Sequence, residues 1–288
     1  MYEHPRRLPG HATIAHSPNS EEAKKSENDF AFAFTAKVLS NGDEKNASLE
    51  SFKKVDSNVK LFFGGGGGSS VVEAKEWTTY PGFFAKGGLD IMTSFLLDSI
   101  LEEDPEKSSS PRLKKGICSD KTKRVMDFCC GSGVIGYALR NALEKEKTKK
   151  KVKLTMLDAD AVALEAAKQN FSSLVSGNDD ENNIEYLLSD GFPQKTTAKP
   201  CELILTNPPV HYNAKPDFRV LGHMLTELPN VLKKEKKGGA CFCVCQRYVP
   251  LESVAQYYQT TKTIDLKIHA KNDRFCVWKI VCKARSDS

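Results

Sequence analysis

A chain of 288 residues, 40% of them apolar, is long enough to bury one substantial core. It contains no apolar run of about 18 residues, so no helix is expected to cross a membrane. Nine cysteines, an odd number with no paired Cys-x-x-Cys motifs, argue against a zinc site and against a disulfide framework. They suit a reducing intracellular compartment, cytoplasm or nucleus, without excluding an organelle. The net charge of +5 is clustered, with lysines from Lys145 to Lys153 and from Lys233 to Lys237. Such clusters read either as solvated helix ends favoured by the helix dipole or as a surface facing a polyanion.

In chain order, residues 1–28 are polar and aperiodic, a composition that buries too little apolar surface to offset ordering entropy, and a disordered tail is expected. Residues 29–79 read as a small β-rich extension. Phe30 to Phe34 alternates with period two, Val59 to Phe63 is a second strand and Val71 to Trp77 a third. The five glycines Gly64 to Gly68 between the last two are followed by no Gly-Lys-Ser/Thr, so they read as a connector, not a phosphate loop. From Phe83 to Ile100 the pattern becomes a glycine loop and an amphipathic helix, with Ile91, Phe95, Leu96 and Ile100 on one face. Glu102 to Lys123 is charged and rich in Ser and Pro, a surface loop.

From Arg124 onward, strands and helices alternate. Strands are predicted near 124–128, 152–157, 183–188, 202–206, 239–245, 263–269 and 275–282, and helices near 133–146, 160–171, 217–233 and 250–259. This is an α/β, Rossmann-like pattern: a seven-stranded, mostly parallel sheet over residues 80–288 with helices on both faces. The last two strands are joined by the short turn Lys271 to Arg274, too tight for a parallel pair, so the sheet should end in an antiparallel hairpin. Cys241, Cys243 and Cys245 alternate and would share one strand face as small apolar residues.

The chain is organised around Arg-Val-Met-Asp-Phe-Cys-Cys-Gly-Ser-Gly-Val-Ile-Gly, residues 124–136. An apolar strand runs into a turn holding Gly131 and Gly133, and a helix starts at once, its unpaired amides facing a ligand. Gly131, Gly133 and Gly136 also spell the dinucleotide motif Gly-x-Gly-x-x-Gly. Asp158 closes the next strand, where a carboxylate accepts both ribose hydroxyls; the bland alternative is a helix N-cap, a role for which Asp160 is better placed. Asp190 follows the third strand, either beside an adenine amino group or as an ordinary turn residue. Leu203 to Thr206 then leads into Asn207-Pro208-Pro209-Val210-His211. The two prolines fix a rigid bend with no amide donors, and Asn207 adds a side-chain acceptor. Acceptors so placed suit a flat exocyclic amine.

These motifs together resemble the methyltransferase small-domain family, and in particular the catalytic half of bacterial ribosomal RNA guanine-N2 methyltransferases. The likeness runs from about Tyr80 to the C-terminus. Pro81-Gly82-Phe83-Phe84 through Gly88-Leu89-Asp90 resembles the family's Pro-Gly-x-Phe-Ser-x-x-Gly-Leu-Asp loop. Asp127 to Gly133 resembles its S-adenosylmethionine turn, and Asn207 to His211 resembles Asn-Pro-Pro-Phe-His. A doubly wound sheet closed by an antiparallel hairpin is the ending expected of class I methyltransferases. The resemblance implies S-adenosylmethionine held by Asp127, Cys129, Gly131, Gly133, Asp158, Asp190 and Asn207. It also implies an RNA substrate, with Asn207, Pro208 and Pro209 at the reacting amine and Phe84, Val210, His211 and Tyr212 around the base. Cys129 stands where the family has glycine, which a negative φ would accommodate. Val210 stands where the family has a stacking aromatic, a place Tyr212 or Phe84 would have to fill. The alternatives within the reaction type are adenine-N6 and protein glutamine methylation. From other classes come an NAD-dependent oxidoreductase and an inactive adaptor that keeps the fold.

Overall fold

In the computed structural model the described residues are 49–63, 70–104, 107–117, 124–145, 152–172, 183–193, 199–212, 215–234 and 238–283. The Phe30–Phe34 alternation, the five glycines and Glu146 to Lys151 lie outside them. Short β-branched and apolar runs give the strands. β1 (Lys54–Phe63) and β2 (Ser70–Thr79) form an antiparallel pair, as do β3 (Leu101–Asp104) and β4 (Lys107–Leu113). The main sheet contains β5 (Arg124–Phe128), β6 (Lys153–Asp158), β7 (Ile184–Leu188), β8 (Leu203–Thr206), β11 (Ala240–Gln246), β12 (Ile264–Lys271) and β13 (Phe275–Cys282). The two-residue strands β9 (His211–Tyr212) and β10 (Lys215–Pro216) pair beside it. The helices are α1 (Ile91–Ile100), α2 (Val134–Lys145), α3 (Ala161–Ser172), α4 (Arg219–Val231) and α5 (Leu251–Tyr257).

The seven strands lie in the order β12-β13-β11-β8-β5-β6-β7. β7, β6, β5, β8 and β11 are parallel, and β13 runs antiparallel between β11 and β12. The chain therefore winds outward from β5 through β6 to β7, then returns to place β8 on the other side of β5. That reversal makes the carboxyl ends of β5 and β8 a topological switch point, where open α/β sheets hold their ligands. The predicted closing hairpin is present, its turn held by Asn272 Oδ1 accepting from the amides of Arg274 (2.9 Å) and Phe275 (2.7 Å).

Period-two alternation gives each strand two different faces. Phe242 and Val244 join one apolar cluster with α1, α2 and α3, while Cys241, Cys243 and Cys245 join the other with α4 and α5. The three cysteines thus behave as small apolar residues, and burial pushes the Cys241 thiol well up, keeping it protonated. The β1–β2 hairpin shares the first cluster through Leu61, Val72 and Trp77.

Two expectations need correction. Glu102 to Leu113 is not a loop: β3 and β4 pair, with Leu101 and Leu113 buried opposite each other and Arg112 bridging Glu102 at 2.9 Å. Two apolar anchors at the open end and a cross-strand ion pair are enough to seat a hairpin on the core. Ile91 does not belong to the buried face of α1; it is 58% exposed, and Met92 and Leu97 pack inward in its place.

Candidate functional site

The glycine turn leaves β5 sharply. Gly131 has φ +55 and Gly133 φ +91, values that glycine adopts without a Cβ penalty. A negative φ would have accommodated Cys129 in place of glycine; instead it has φ +59, in the left-handed region. A cysteine there costs roughly 1–2 kcal/mol, which the surrounding structure sustains. Two networks hold the turn. Asp158, almost fully buried, accepts from the Gly131 amide at 2.7 Å and from the Asp160 amide at 3.0 Å. Asn170 Nδ2 of α3 donates to the carbonyls of Ser132 (3.0 Å) and of Thr78 in β2 (3.1 Å), and its Oδ1 accepts from the Thr78 amide at 2.5 Å.

Asp158 is therefore placed at the turn and is not the cap of α3. That role falls to Asp160, whose Oδ1 accepts from Val162 (2.9 Å) and Ala163 (3.3 Å). The Asp158 carboxylate braces the same loop over which a ligand would lie, and two oxygens offer about four acceptor sites for further hydroxyls. Asp127 is fully buried one strand away. Its Oδ2 accepts from the Gly136 amide at 2.8 Å, while Oδ1 has no hydrogen-bond partner among the described residues. Desolvation pushes its pKa up to about 8, the Gly136 bond pulls it down, and the nearby Asp158 adds to the rise. A buried carboxyl with one unsatisfied oxygen, beside a Gly131 position where even a Cβ would meet open space, fits a ligand that brings its own donors. Asp190 is exposed at the end of β7, on the side of Asp158 away from β8.

Asn207 follows β8 across the switch point. Its Nδ2 donates to Thr93 Oγ1 at 2.9 Å and to Asp90 Oδ2 at 3.2 Å. Asp90 is the N-cap of α1, accepting from Met92 (2.8 Å) and Thr93 (3.2 Å), and the Thr93 hydroxyl donates to its other oxygen. The order of donors is unambiguous. A carboxylate only accepts, so the amide nitrogen must face it, and Asn207 Oδ1 points the other way. Pro208 is buried and Pro209 exposed, which anchors one ring and leaves the bend without donors.

Asp90 and Thr93 thus join the candidate site, and neither was among the site residues expected from the sequence. An Asp immediately before an apolar helix is an N-cap signal, but its second role spans 117 positions in the chain. Gly87 is a further surprise. Its carbonyl accepts from Trp77 Nε1 at 2.7 Å and from Ser132 Oγ at 2.5 Å, and a Cβ there would lie 2.6 Å from Thr79 Cγ2.

The residues expected around a base separate. Phe84 is 68% exposed beside the glycine loop. Val210 does not face a ligand; it is 3% exposed and packs in the apolar cluster of α4 and α5. A β-branched residue directly after two prolines is turned inward by the bend, so a larger side chain would enlarge the core and not reach a base. His211 is exposed, its Nε2 hydrogen-bonded to the Tyr248 hydroxyl. Tyr212 is half-buried with Arg219 over its ring at 5.8 Å. Tyr248, absent from the expected set, projects from the turn after β11 and is 54% exposed. Of the lysine clusters, Lys153 pairs with Glu185 at 2.8 Å and Lys233 with the buried Glu202, which also holds Arg124. Those two lysines have structural partners.

Strand order, a glycine turn at the switch point and a closing antiparallel pair define a class I methyltransferase fold. The solved T. thermophilus 16S rRNA N2 methyltransferase in complex with AdoMet and guanosine shares it, with a TM-score of 0.56 at 16% identity over 83% of this chain and 52% of that one. The chain belongs to the methyltransferase small-domain family, whose profile matches residues 75–279. Ribosomal RNA small subunit methyltransferase C of Hahella chejuensis is 32% identical over 179 residues, 62% of this chain and 42% of that protein. Ribosomal RNA large subunit methyltransferase G of Vibrio vulnificus is 23% identical over 197 residues, 68% of this chain and 44% of that protein. The matched region spans less than half the length of both relatives.

Proposed function

We propose that this chain transfers a methyl group from S-adenosylmethionine to the exocyclic N2 amine of a guanine in structured RNA, ribosomal RNA first. One observation carries the reading: Asn207 is clamped through its nitrogen by Asp90 and Thr93, so its oxygen is presented as an acceptor beside a donor-free Pro-Pro bend. An aromatic amine held by such acceptors has its lone pair directed out of the hydrogen-bonding plane, toward the neighbouring β5 turn. Gly131, Gly133, Asp127 and Asp158 would hold the cofactor, which when bound supplies an already activated methyl group. The chain then needs no nucleophile of its own. Its residues contribute alignment and exclusion of water. The relatives' names support RNA as substrate. The acceptor pair equally fits a planar amide, so protein glutamine methylation is the outcome the test must separate.

The test is transfer of labelled methyl to RNA and to protein from cells lacking the gene, followed by nucleoside mass spectrometry. Asn207→Ala removes the acceptor and leaves both prolines, so the fold and binding of S-adenosylhomocysteine should survive. Turnover should fall by at least about 100-fold, the scale for removing a positioned hydrogen-bonding group. Near-parent methylation by this variant would defeat the mechanism. Label found on protein and absent from RNA would overturn the substrate and leave the transfer standing.

A further inference from the structure

The strand order separates the site's parts along the carboxyl edge of the sheet. The candidate cofactor turn follows β5, Asp158 ends β6, and Asn207 follows β8 on the opposite side. A nucleotide with its amine at Asn207 must therefore leave away from β6, across the ends of β11 and of the β12–β13 hairpin. What stands there is not explained by the fold. The turn after β11 buries Val249 and Leu251 yet displays Arg247 and Tyr248. The Tyr248 hydroxyl is bonded to His211, four residues beyond Asn207, with the two rings 5.9 Å apart and tilted by 52°. The Arg247 amide donates to the Arg274 carbonyl at 2.9 Å, joining this turn to the hairpin turn. Arg247, Lys271 and Arg274 are all exposed, and among the described residues no salt bridge neutralises them. The acid on the hairpin turn itself is Asp273, also exposed.

We infer that Tyr248, braced by His211, together with Arg247 and Arg274 forms a ledge that seats the single-stranded nucleotide adjoining the target. Its base stacks on Tyr248 and its phosphates lie against the two guanidiniums. The inference rests on the RNA reading above and adds residues that reading does not use. An exposed aromatic face next to cations without acidic partners is the combination by which proteins hold unpaired strands: every base has a face to stack, and every phosphate a charge to neutralise. It also accounts for Val210. With that side chain turned into the core, the aromatic surface beside the bend is supplied by the next strand.

The test uses the full chain saturated with S-adenosylhomocysteine and a fluorescein-labelled single-stranded RNA, read by anisotropy across a salt series. Tyr248→Ala should weaken binding by about 5- to 150-fold, the range for loss of one base stack, and Tyr248→Phe should stay within about 3-fold. Arg247→Gln with Arg274→Gln should reduce the steepness of log affinity against log salt by about 1.4, two phosphates' worth. S-adenosylhomocysteine affinity, measured by calorimetry, should be unchanged in every variant. Parent-like RNA affinity in Tyr248→Ala would overturn the ledge, as would a parent that does not bind single strands. RNA binding that depends on Tyr248 without methyl transfer would keep the ledge and sink the proposed reaction. Methyl transfer to RNA with a KM untouched by Tyr248→Ala would do the reverse.

Discussion

Asp127 is the residue whose chemistry the structure constrains most closely, and replacing it by asparagine tests that chemistry without any substrate. The carboxyl has no exposure and a single amide donor, at 2.8 Å, for its two oxygens. Burial outweighs that bond and holds the folded pKa up to about 8, against an ordinary value of 3.8. For an acid whose folded pKa is raised, the native chain binds more protons than the unfolded one between those two values, so stability falls as pH rises through that window. Below it both states are protonated, and above it both are ionised, so the loss is confined between them. Each pH unit crossed costs about 1.4 kcal/mol, and the whole window on the order of 5 kcal/mol. The substituted amide cannot ionise, keeps the shape, and can accept from Gly136 with its oxygen. Melting temperatures of parent and Asp127→Asn should therefore diverge, the variant gaining several degrees on the parent from about pH 5 to about pH 8. Other titrating groups cancel in the difference. Parallel curves would show that Asp127 is already ionised or solvated when folded, and the argument from burial would fail.

Three further substitutions probe separate parts of the site and core. Cys129→Gly removes the Cβ from a left-handed backbone, and the gain in stability, read by denaturant midpoint, should be about 0.5–1 kcal/mol after the extra unfolded-state entropy of glycine is offset; a loss would show that the thiol's packing matters more. Thr93→Val keeps the shape of α1 but takes one acceptor from Asn207, so turnover should fall about 10-fold with S-adenosylhomocysteine affinity unchanged. Gly222→Ala places a Cβ 2.1 Å from Tyr258 Cε2, and the melting temperature should drop by the equivalent of about 1–3 kcal/mol, as overpacking does.

The parts that the sequence made legible are those set by local rules. From Arg124 on, apolar runs and punctuating turns placed every strand and helix of the sheet to within one or two residues, most clearly where the run is buried, as in β5, β6, β8, β11 and β13. The turn Lys271 to Arg274 was too short for a parallel connection, and the antiparallel ending followed. What stayed hidden depends on distance or on sign. A charged stretch from Glu102 gave no apolar alternation, and the buried anchors Leu101 and Leu113 stand at the hairpin's open end. Nothing local distinguishes a cysteine at φ +59 from one at negative φ, because the turn's neighbours decide it. Val210 was expected beside the base by its place after Asn-Pro-Pro, and the bend turned it inward. Tyr248 could not be linked to His211 from spacing alone, since only the parallel pairing of β8 with β11 brings their ends together.

The two halves of the site are also not independent, and the reason is one short segment. Trp77 and Thr78 belong to β2, and Asp90 and Thr93 to the start of α1, with Gly87 between them. Thr78 ties to Asn170 and thereby to Ser132 of the glycine turn, while Gly87 takes bonds from Trp77 and from Ser132 itself. A few residues on, Asp90 and Thr93 fix the orientation of Asn207. The loop that would hold the cofactor and the loop that would hold the amine thus hang from the same stretch, residues 77–93. Methyl transfer requires the two reacting atoms to be aligned to a fraction of an ångström, and an error of about 1 Å costs roughly 100-fold. Two loops hung from separate supports would vary in separation with every fluctuation of the sheet. A shared support makes them move together, so in the proposed reaction the hairpin before the sheet would belong to the catalytic geometry.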